Sequence, residues 1–366
     1  MQFTIGKETL LRPLQIVIGV VERRQTLPVL SNVLVSRRAN ELVLTATDLE
    51  VEAQARLALP GDEEGEITVP ARKLFDICKA LPDGSELRLE LEGDRMRLRG
   101  GRSRFTLSTL PAEEFPQIED IREQSRFSMA AADLRRLMEK THFCMAQQDV
   151  RYYLNGLLLE LGTGQVRAVA TDGHRLALCE QPLPGLEGAA QQVIVPRKGI
   201  QELLRLLQDA EGDAVVALGE NHVRVEVDGL RFTSKLIDGR FPDYQRVLPT
   251  DAGRVLMADR RALKDALSRT SILSNEKYRG IRFVLEPGLL RVQAHNPERE
   301  EAEEELEVEY DGPPFEIGFN VNYLLDALNA IEGESVSLAM RDSNSSALVR
   351  DVASEACRYV VMPMRL

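Results

Sequence analysis

The chain has 366 residues, enough for two or three domains that each bury a core of their own. Hydrophobic residues make up 43% of it and charged residues 28%, which is ordinary for a globular protein, and no segment reaches the roughly 20 consecutive apolar residues that a membrane span needs. Its net charge of -12 and its lack of tryptophan argue against a simple nucleic-acid-binding protein.

The start of the chain and its cysteines indicate the compartment. The first five residues alternate like a strand, without the basic and then apolar layout of a signal peptide, so the sequence predicts a cytoplasmic protein with no membrane partner. Cys78, Cys144, Cys179 and Cys357 lie far apart and form no CxxC pair. We therefore expect four isolated reduced thiols, with no disulfide, no metal site and no cofactor.

The predicted elements begin with a strand and an amphipathic helix. Apolar residues recur in steps of three and four from Leu10 to Val21, which predicts a helix with one buried face. Residues 51–59 then alternate apolar and polar, and residues 87–98 do so around a turn at 92–94. These are half-buried antiparallel strands, and a second helix is predicted between them, after Val69-Pro70.

The same order of elements occurs three times. Ala46-Thr47-Asp48 is echoed by Ala170-Thr171-Asp172 and by Ala294-His295-Asn296, each 124 residues further on. Such a repeat predicts three similar domains, for which we set boundaries at 1–125, 126–251 and 252–366. Each domain is predicted to have two helices on one face of an antiparallel sheet, an α+β architecture.

The two ends of the chain carry opposite charge. Between Arg95 and Arg104 a predicted hairpin holds five arginines, whereas residues 298–309 hold eight glutamates. Either run alone is more simply a solvated face. A row of similar domains also leaves a free sheet edge at each end, so the opposite charges favour head-to-tail pairing that closes a ring.

The predicted helices are more basic than the rest of the chain. Their cationic residues are Arg72, Lys73 and Lys79 on one helix, Arg135, Arg136 and Lys140 on another, Arg197, Lys198 and Arg205 on a third, and Arg260, Arg261, Lys264 and Arg269 on a fourth. Another predicted helix, around Asp326, breaks this pattern. Ordinary solvated faces explain these charges as well as a surface meant for a polyanion does.

The most site-like string is 171–175, in which Asp172 and His174 could form an acid-base pair. No GxSxG, HExxH or P-loop motif accompanies them. Because Asp48 and Asn296 hold the place of Asp172 in the other copies, a structural turn explains the string better. We expect no catalytic residues; an α+β repeat enzyme that uses Asp172 and His174 is the chief alternative, and a structural or adhesive repeat protein is a third.

Six strings of the sequence resemble those of one family. They are Thr45-Ala46-Thr47-Asp48-Leu49-Glu50, Val69-Pro70-Ala71-Arg72-Lys73, Gln148-Asp149-Val150-Arg151-Tyr152-Tyr153-Leu154-Asn155-Gly156, Thr171-Asp172-Gly173-His174-Arg175-Leu176, Asp238-Gly239-Arg240-Phe241-Pro242-Asp243-Tyr244 and the terminus from Tyr359 to Leu366. On these strings, and over its whole length, the chain resembles the β subunits of bacterial DNA polymerase III, the sliding clamps or processivity factors. The resemblance implies a DNA clamp fold in which two chains form a head-to-tail homodimer, a closed ring around duplex DNA.

The resemblance also implies residues that contact DNA. They are Arg24, Arg72, Gln148, Tyr152, Tyr153, Arg197 and Lys198. Cationic side chains would bind phosphates without reading the base sequence, and the tyrosine pair could pack against exposed bases of a single-stranded end. A cross-strand aromatic pair stays open as the alternative for the two tyrosines.

The family further presents a pocket for short linear peptides of replicative and translesion polymerases, the clamp loader and repair proteins. Mapped onto this chain, it comprises Leu154, Thr171, Gly173, His174, Arg175, Leu176, Pro242, Arg246, Val247, Asn344, Ser346, Val360 and Met362. Mostly apolar walls suit a ligand groove, and two or three apolar anchors predict roughly micromolar binding. Asn344 departs from the family, some members of which have an apolar side chain there.

The predicted ring-closing interface has a basic side and an acidic side. It comprises Lys73, Ile77, Arg95, Arg102, Arg104 and Leu107 on one side, and Ile272, Leu273, Glu298, Glu300, Glu301, Glu303 and Glu304 on the other. A closed ring also reconciles the acidic net charge with DNA, because topology rather than salt-sensitive phosphate contacts would hold it there.

Overall fold

The structure is a computed structural model that describes residues 1–22, 27–118, 121–186, 190–249 and 253–365. Within these ranges the chain forms 24 strands and six α-helices. Its residues group into two compact units. Unit 1 contains Met1–Arg135 and Lys198–Leu236, and unit 2 contains Arg136–Arg197 and Ile237–Leu366.

The first third of the chain contains two helices and eight strands. They are β1 (Gln2–Gly6), α1 (Lys7–Val17), β2 (Asn32–Arg38), β3 (Glu41–Thr47), β4 (Val51–Ala58), β5 (Gly65–Pro70), α2 (Ala71–Ala80), β6 (Glu86–Glu92), β7 (Arg95–Gly100) and β8 (Ser103–Ser108). Helix α1 is shorter than its apolar pattern predicted, because a turn over residues 18–20 follows Val17. Val21 is nevertheless buried.

The other two thirds repeat this arrangement. The middle third contains β9 (Ser125–Ala130), α3 (Ala131–Glu139), β10 (Gly156–Gly162), β11 (Gln165–Thr171), β12 (Arg175–Pro182), β13 (Gln191–Pro196), α4 (Arg197–Leu206), β14 (Asp213–Leu218), β15 (His222–Val227) and β16 (Leu230–Lys235). The last third contains β17 (Arg254–Asp259), α5 (Arg260–Thr270), β18 (Gly280–Glu286), β19 (Leu289–His295), β20 (Glu301–Glu307), β21 (Phe315–Asn320), α6 (Val321–Ala330), β22 (Ser335–Met340), β23 (Ala347–Asp351) and β24 (Cys357–Val361). The prediction of two helices and antiparallel strands in each third is confirmed.

Each unit contains one four-stranded and one eight-stranded sheet. In unit 1 the strand orders are β1-β6-β7-β8 and β5-β2-β3-β4-β16-β15-β14-β9. In unit 2 they are β20-β19-β18-β21 and β13-β10-β11-β12-β24-β23-β22-β17. Each eight-stranded sheet therefore joins strands from two different thirds of the chain, at β4–β16 in unit 1 and at β12–β24 in unit 2, whereas β8 and β20 each lie at the edge of a four-stranded sheet.

Helices cover these sheets with their apolar faces. Helix α1 packs against β3, β4 and α2, and its buried face consists of Leu10, Leu14 and Val17 at the spacing of a helix. Helix α5 packs in the same way against β19, β20 and α6. The carboxylate of Asp259 accepts a hydrogen bond from the amide of Ala262 at 2.7 Å and so caps the start of α5.

The cysteines correct one expectation. Cys179 and Cys357 are direct partners on β12 and β24, with their Cα atoms 4.1 Å apart, and they form a disulfide. The expectation of four isolated thiols is therefore wrong for these two, because strand pairing joins positions 178 residues apart in sequence. Cys78 and Cys144 are free and buried.

The ranges that the structure describes lack two features. None of their helices is both long and apolar enough to cross a membrane. Nor do three or more His, Cys, Asp or Glu side chains come together there as a metal site requires.

Candidate functional site

An apolar groove of about 190 Å³ lies in unit 2 beside the β12–β24 junction. Nine of the thirteen predicted pocket residues line it: Leu154, Thr171, Gly173, Arg175, Leu176, Pro242, Val247, Val360 and Met362. Leu176 and Val360 face each other across the junction and are buried, whereas Val247 and Met362 are 42% and 38% exposed. Apolar side chains of a ligand could therefore bury against this floor.

The turn before β12 shapes one wall of the groove. The carboxylate of Asp172 accepts hydrogen bonds from the amides of His174 at 2.9 Å and Arg175 at 3.0 Å. Gly173, which lies between Asp172 and His174, has a φ of 88°, a conformation that favours glycine. Asp48 and Asn296 accept amide hydrogen bonds in the corresponding turns of the other copies, which confirms the structural explanation of this string.

Asp172 is therefore engaged in the turn and in an ion pair. Its second carboxylate oxygen accepts a hydrogen bond from the guanidinium of Arg175 at 3.0 Å. The imidazole of His174 instead stacks on the ring of Tyr323, with centroids 6.4 Å apart. Asp172 and His174 therefore belong to a hydrogen-bonded turn and do not form the acid-base pair considered as an alternative.

Arg175 links this turn to the neighbouring helix. Its guanidinium donates to the carbonyl oxygen of Phe143 at 2.8 Å and pairs with Asp326 on α6. It also lies over the ring of Tyr323, 4.6 Å from the centroid. Because these contacts fix Arg175, the groove wall that it forms is preorganised.

Sequence reasoning missed two residues that line the groove, Arg151 and Tyr244. Arg151 pairs with Asp149 at 2.8 Å, and its hydrogen bonds lower the pKa of that carboxyl to about 2. Burial raises the pKa of the Tyr244 hydroxyl, although Arg167, which donates to it at 2.8 Å, opposes this effect. Both belong to strings that carried the family resemblance, so that signal could have identified them.

Four predicted pocket residues lie outside the lining of the groove. His174 is exposed on the turn, and Arg246 is exposed and pairs with Asp243 at 2.8 Å. Asn344 is exposed, and its backbone amide donates to the carboxylate of Asp342 at 2.9 Å. Ser346 is partly buried just before β23.

Most of the predicted DNA-contacting cations have protein partners. Arg24 lies outside the described residues. Arg72 donates to the carbonyl oxygen of Val21 at 2.6 Å, and Arg197 donates to that of Met145 at 3.1 Å. Lys198 forms ion pairs with Glu22 and Asp48.

The polar and aromatic residues predicted to contact DNA lie on one loop. Gln148 has a φ of 56°, and Tyr152 is 57% exposed. Tyr152 and Tyr153 meet edge to face with ring centroids 5.7 Å apart, and Tyr153 packs against the core around Phe241. Tyr152 is thus the member of the pair that is accessible to a ligand.

Several cations of the predicted basic helix faces bind backbone carbonyls. The side chains of Arg135, Lys140, Arg205 and Arg260 donate to oxygens at or just beyond the last turn of a helix, those of Gln208, Ala330, Ile16 and Gly333, respectively. Helix C-termini leave carbonyls unpaired and carry partial negative charge, so these cations stabilise the fold. The hypothesis of a surface made only for a polyanion therefore does not account for all of them.

Most of the predicted interface residues lie on the β7–β8 hairpin, or on β20 and just before it, and β8 and β20 are edge strands of the two four-stranded sheets. Arg95, Arg102 and Arg104 are exposed on the β7–β8 hairpin, Leu107 is buried there, and on α2 Lys73 is exposed and Ile77 half-buried. Glu298, Glu300, Glu301 and Glu303 are exposed on β20 or just before it. Glu304 is partly buried and pairs with Arg269 at 2.5 Å, and after α5 Ile272 is 75% exposed whereas Leu273 is partly buried.

Comparison with known proteins gives one consistent result. Family models described as the N-terminal, central and C-terminal domains of the DNA polymerase III beta subunit match residues 1–119, 128–243 and 245–365. The chain is 57% identical to the beta sliding clamp of Pseudomonas aeruginosa and 52% identical to that of Escherichia coli K12, over the full length of each. The crystal structure of the P. aeruginosa clamp bound to griselimycin has a TM-score of 0.97 at 57% identity, with both chains fully covered.

Proposed function

The chain belongs to the DNA polymerase III beta subunit family and is a sliding clamp rather than an enzyme, and we propose that two copies close head to tail into a ring around duplex DNA. We further propose domain boundaries at 1–125, 126–251 and 252–366, and a cytoplasmic location.

The two junctions inside the chain suggest how the ring closes. In the β4–β16 junction Thr233 lies opposite Glu52, and in the β12–β24 junction Val360 lies opposite Leu176. Thr233 and Val360 are each the fourth residue of their strand. On the other side of each junction, Glu52 pairs with Thr47, the last residue of β3, and Leu176 pairs with Thr171, the last residue of β11. The two junctions therefore share one register.

The edge strands β8 and β20 contain the residues that correspond to the paired residues of the two junctions. Thr106 is the fourth residue of β8, and Glu301 pairs with His295, the last residue of β19. The same register would place Thr106 opposite the partner's Glu301, and Arg104 opposite the partner's Glu303. This pairing satisfies two exposed strand edges and brings opposite charges together, which supports the head-to-tail homodimer.

A disulfide cross-link tests this register. Directly opposed residues of an antiparallel pair have Cα atoms about 4.5–5.5 Å apart, within reach of a disulfide. A chain with Thr106→Cys and Glu301→Cys should form a covalent dimer on oxidation, without a ladder of longer oligomers because the ring is closed. Thr106→Cys with Glu303→Cys is the matched control, since diagonal neighbours about 7–8 Å apart should not cross-link. Equal cross-linking of both pairs would overturn the register.

The DNA-contacting residues would act inside such a ring. We propose that Arg24, Arg72, Arg197 and Lys198 bind phosphates, and that Gln148 and the Tyr152–Tyr153 pair contact a single-stranded end. A few phosphate contacts lose on the order of a thousandfold in affinity between about 50 and 200 mM salt. Topology must then keep the protein on DNA. A clamp loaded on a nicked circle should persist at high salt and leave when the circle is linearised; equal retention on both forms would refute this mechanism.

The groove would dock partner proteins. Its apolar floor, its fixed Arg175 wall and its exposed Val247 and Met362 support binding of short linear peptides. We propose that the clamp loader, replicative and translesion polymerases and repair proteins use this groove in turn, with Leu154, Thr171, Gly173, His174, Arg175, Leu176, Pro242, Arg246, Val247, Asn344, Ser346, Val360 and Met362 as its residues.

One substitution with a matched control tests docking. Met362→Glu should place a charge in the groove and shorten the products of primer extension by the cognate DNA polymerase III on a primed circle. Val255→Glu is the control, because Val255 is 44% exposed and outside the groove lining. Both variants should melt like the wild type. Undiminished product length with Met362→Glu would contradict the docking role.

A further inference from the structure

A second cavity continues the groove along the same sheet face of unit 2. It has a volume of about 360 Å³ and shares Tyr244 with the groove. Leu178, Leu248 and Leu348 contribute apolar walls, and Arg167, Arg350 and Arg358 contribute cationic side chains. Apolar walls and cationic side chains thus occur together in one site.

The strand register places the two cavities side by side. Side chains two residues apart on a strand point to the same face, so Val360 and Arg358 on β24 share a face with Leu176 and Leu178 on β12. On β23 the neighbour of Arg358 is Arg350. The arginines therefore lie about 7 Å along the sheet from the groove floor, which is two residues of an extended strand.

The two arginines face each other without full compensation. Like charges directly opposed on neighbouring strands are destabilising. Arg358 comes no closer than 3.8 Å to the carboxylate of Glu180, and the same oxygen already accepts a hydrogen bond from Arg167 at 2.9 Å. Among the residues that the structure describes, Arg350 has no carboxylate within 4.0 Å. The two guanidinium groups therefore keep hydrogen-bonding capacity for a further carboxylate.

We propose that Arg350 and Arg358 bind a carboxylate carried by the docked peptide, two to four residues away from the apolar anchor that fills the groove. The inference rests on the proposed docking role. The ligand is an acidic peptide side chain rather than a free anion, because Leu178, Leu248 and Leu348 line the same cavity and suit the hydrocarbon part of a peptide. An extended peptide advances about 3.3 Å per residue, which sets the spacing.

Peptide titrations test this assignment. The probes are fluorescent peptides in which a central Leu-Phe pair is flanked by glycine and serine, with one Asp placed two, three or four residues before or after the pair. The twin of each probe carries Asn instead of Asp. At least one Asp peptide should bind the full-length protein about three- to tenfold more tightly than its Asn twin, and salt should reduce the difference.

Variants then locate the effect. The double variant Arg350→Gln with Arg358→Gln should bind the Asp and Asn twins equally, whereas Arg282→Gln should keep the preference, because Arg282 is a partly buried arginine of β18 that lines neither cavity. Equal affinity of all twins for the wild type would overturn the anion site, as would a preference that survives the double variant. If Asn and Asp peptides alike fail to bind, the docking role itself is refuted and this inference with it.

Discussion

Reversing one charge on a free sheet edge should open the proposed ring. The register deduced from the two internal junctions places Arg104 opposite the partner's Glu303, and both residues are exposed. Arg104→Glu would therefore put two carboxylates face to face. The change should weaken the dimer while leaving the fold of each chain intact.

The expected effect follows from the geometry. An exposed ion pair contributes about 0.2–1 kcal/mol, and reversing one partner replaces that attraction by a repulsion of similar size. A head-to-tail ring contains the pair twice. The dimer should lose about 1–4 kcal/mol in total, which raises its Kd roughly five- to 900-fold.

Sedimentation velocity at low micromolar concentration measures this change. Arg104→Glu should shift the protein toward monomer, and adding Glu303→Arg to the same chain should restore the dimer, because the pair is then reversed on both sides. Arg282→Glu changes the net charge equally and serves as the control. About 0.5 M salt should narrow the difference between variants, since it screens exposed charges beyond a few ångströms. A double variant as monomeric as Arg104→Glu would refute the register.

Three further substitutions test the fold of unit 2. Lys140→Met should lower the free energy of unfolding by about 1–2 kcal/mol in urea titrations, because the ammonium group binds the carbonyl of Ala330 and the carboxylate of Glu332. Lys140 lowers the pKa of Glu332, so this contribution is present above the unfolded pKa of the carboxyl and should fade as the pH falls through the lowered folded value. Cys357→Ser, like a reductant acting on the wild type, should cost about 2–4 kcal/mol and lower the Tm. Tyr359→Phe should leave stability unchanged within about 0.5 kcal/mol or raise it, because the buried hydroxyl has no hydrogen-bond partner among the described residues.

The repeated turns were readable from sequence because their chemistry is local. Asp48, Asp172 and Asn296 each accept amide hydrogen bonds from residues two to four positions further on. Such contacts need only the right residue at the right spacing. The helices were readable for a similar reason, since one apolar face repeats every three or four residues.

Contacts between distant strands could not be read in this way. The β4–β16 and β12–β24 junctions join different copies, and no local pattern specifies which strands meet. The pairing of Cys179 with Cys357 depends on that junction, so the spacing of the cysteines pointed to the wrong answer. The family resemblance did identify most of the groove, because its strings contain Thr171, Leu176 and Pro242.

The reach of long side chains was a second obstacle. Lys140 follows the polar pattern of a solvated helix face, yet it is only 8% exposed and bonds to Ala330 at the end of another helix. A helical wheel gives the direction of a side chain but not which neighbour lies in its path. Asn344 shows the opposite case. The family resemblance predicted this polar residue for the pocket, whereas the structure places it on an exposed loop outside the lining of the groove.

The shared register of the junctions has a consequence for assembly and loading. Within a chain, the two strands of a junction are tethered, so their effective concentration is fixed and dilution cannot separate them. In the proposed ring, only the pairing of β8 with β20 obeys mass action between chains. If two chains close this ring, three repeats fused into each polypeptide leave two reversible joints among six domains, and a factor that opens the ring would need to separate one of these two joints.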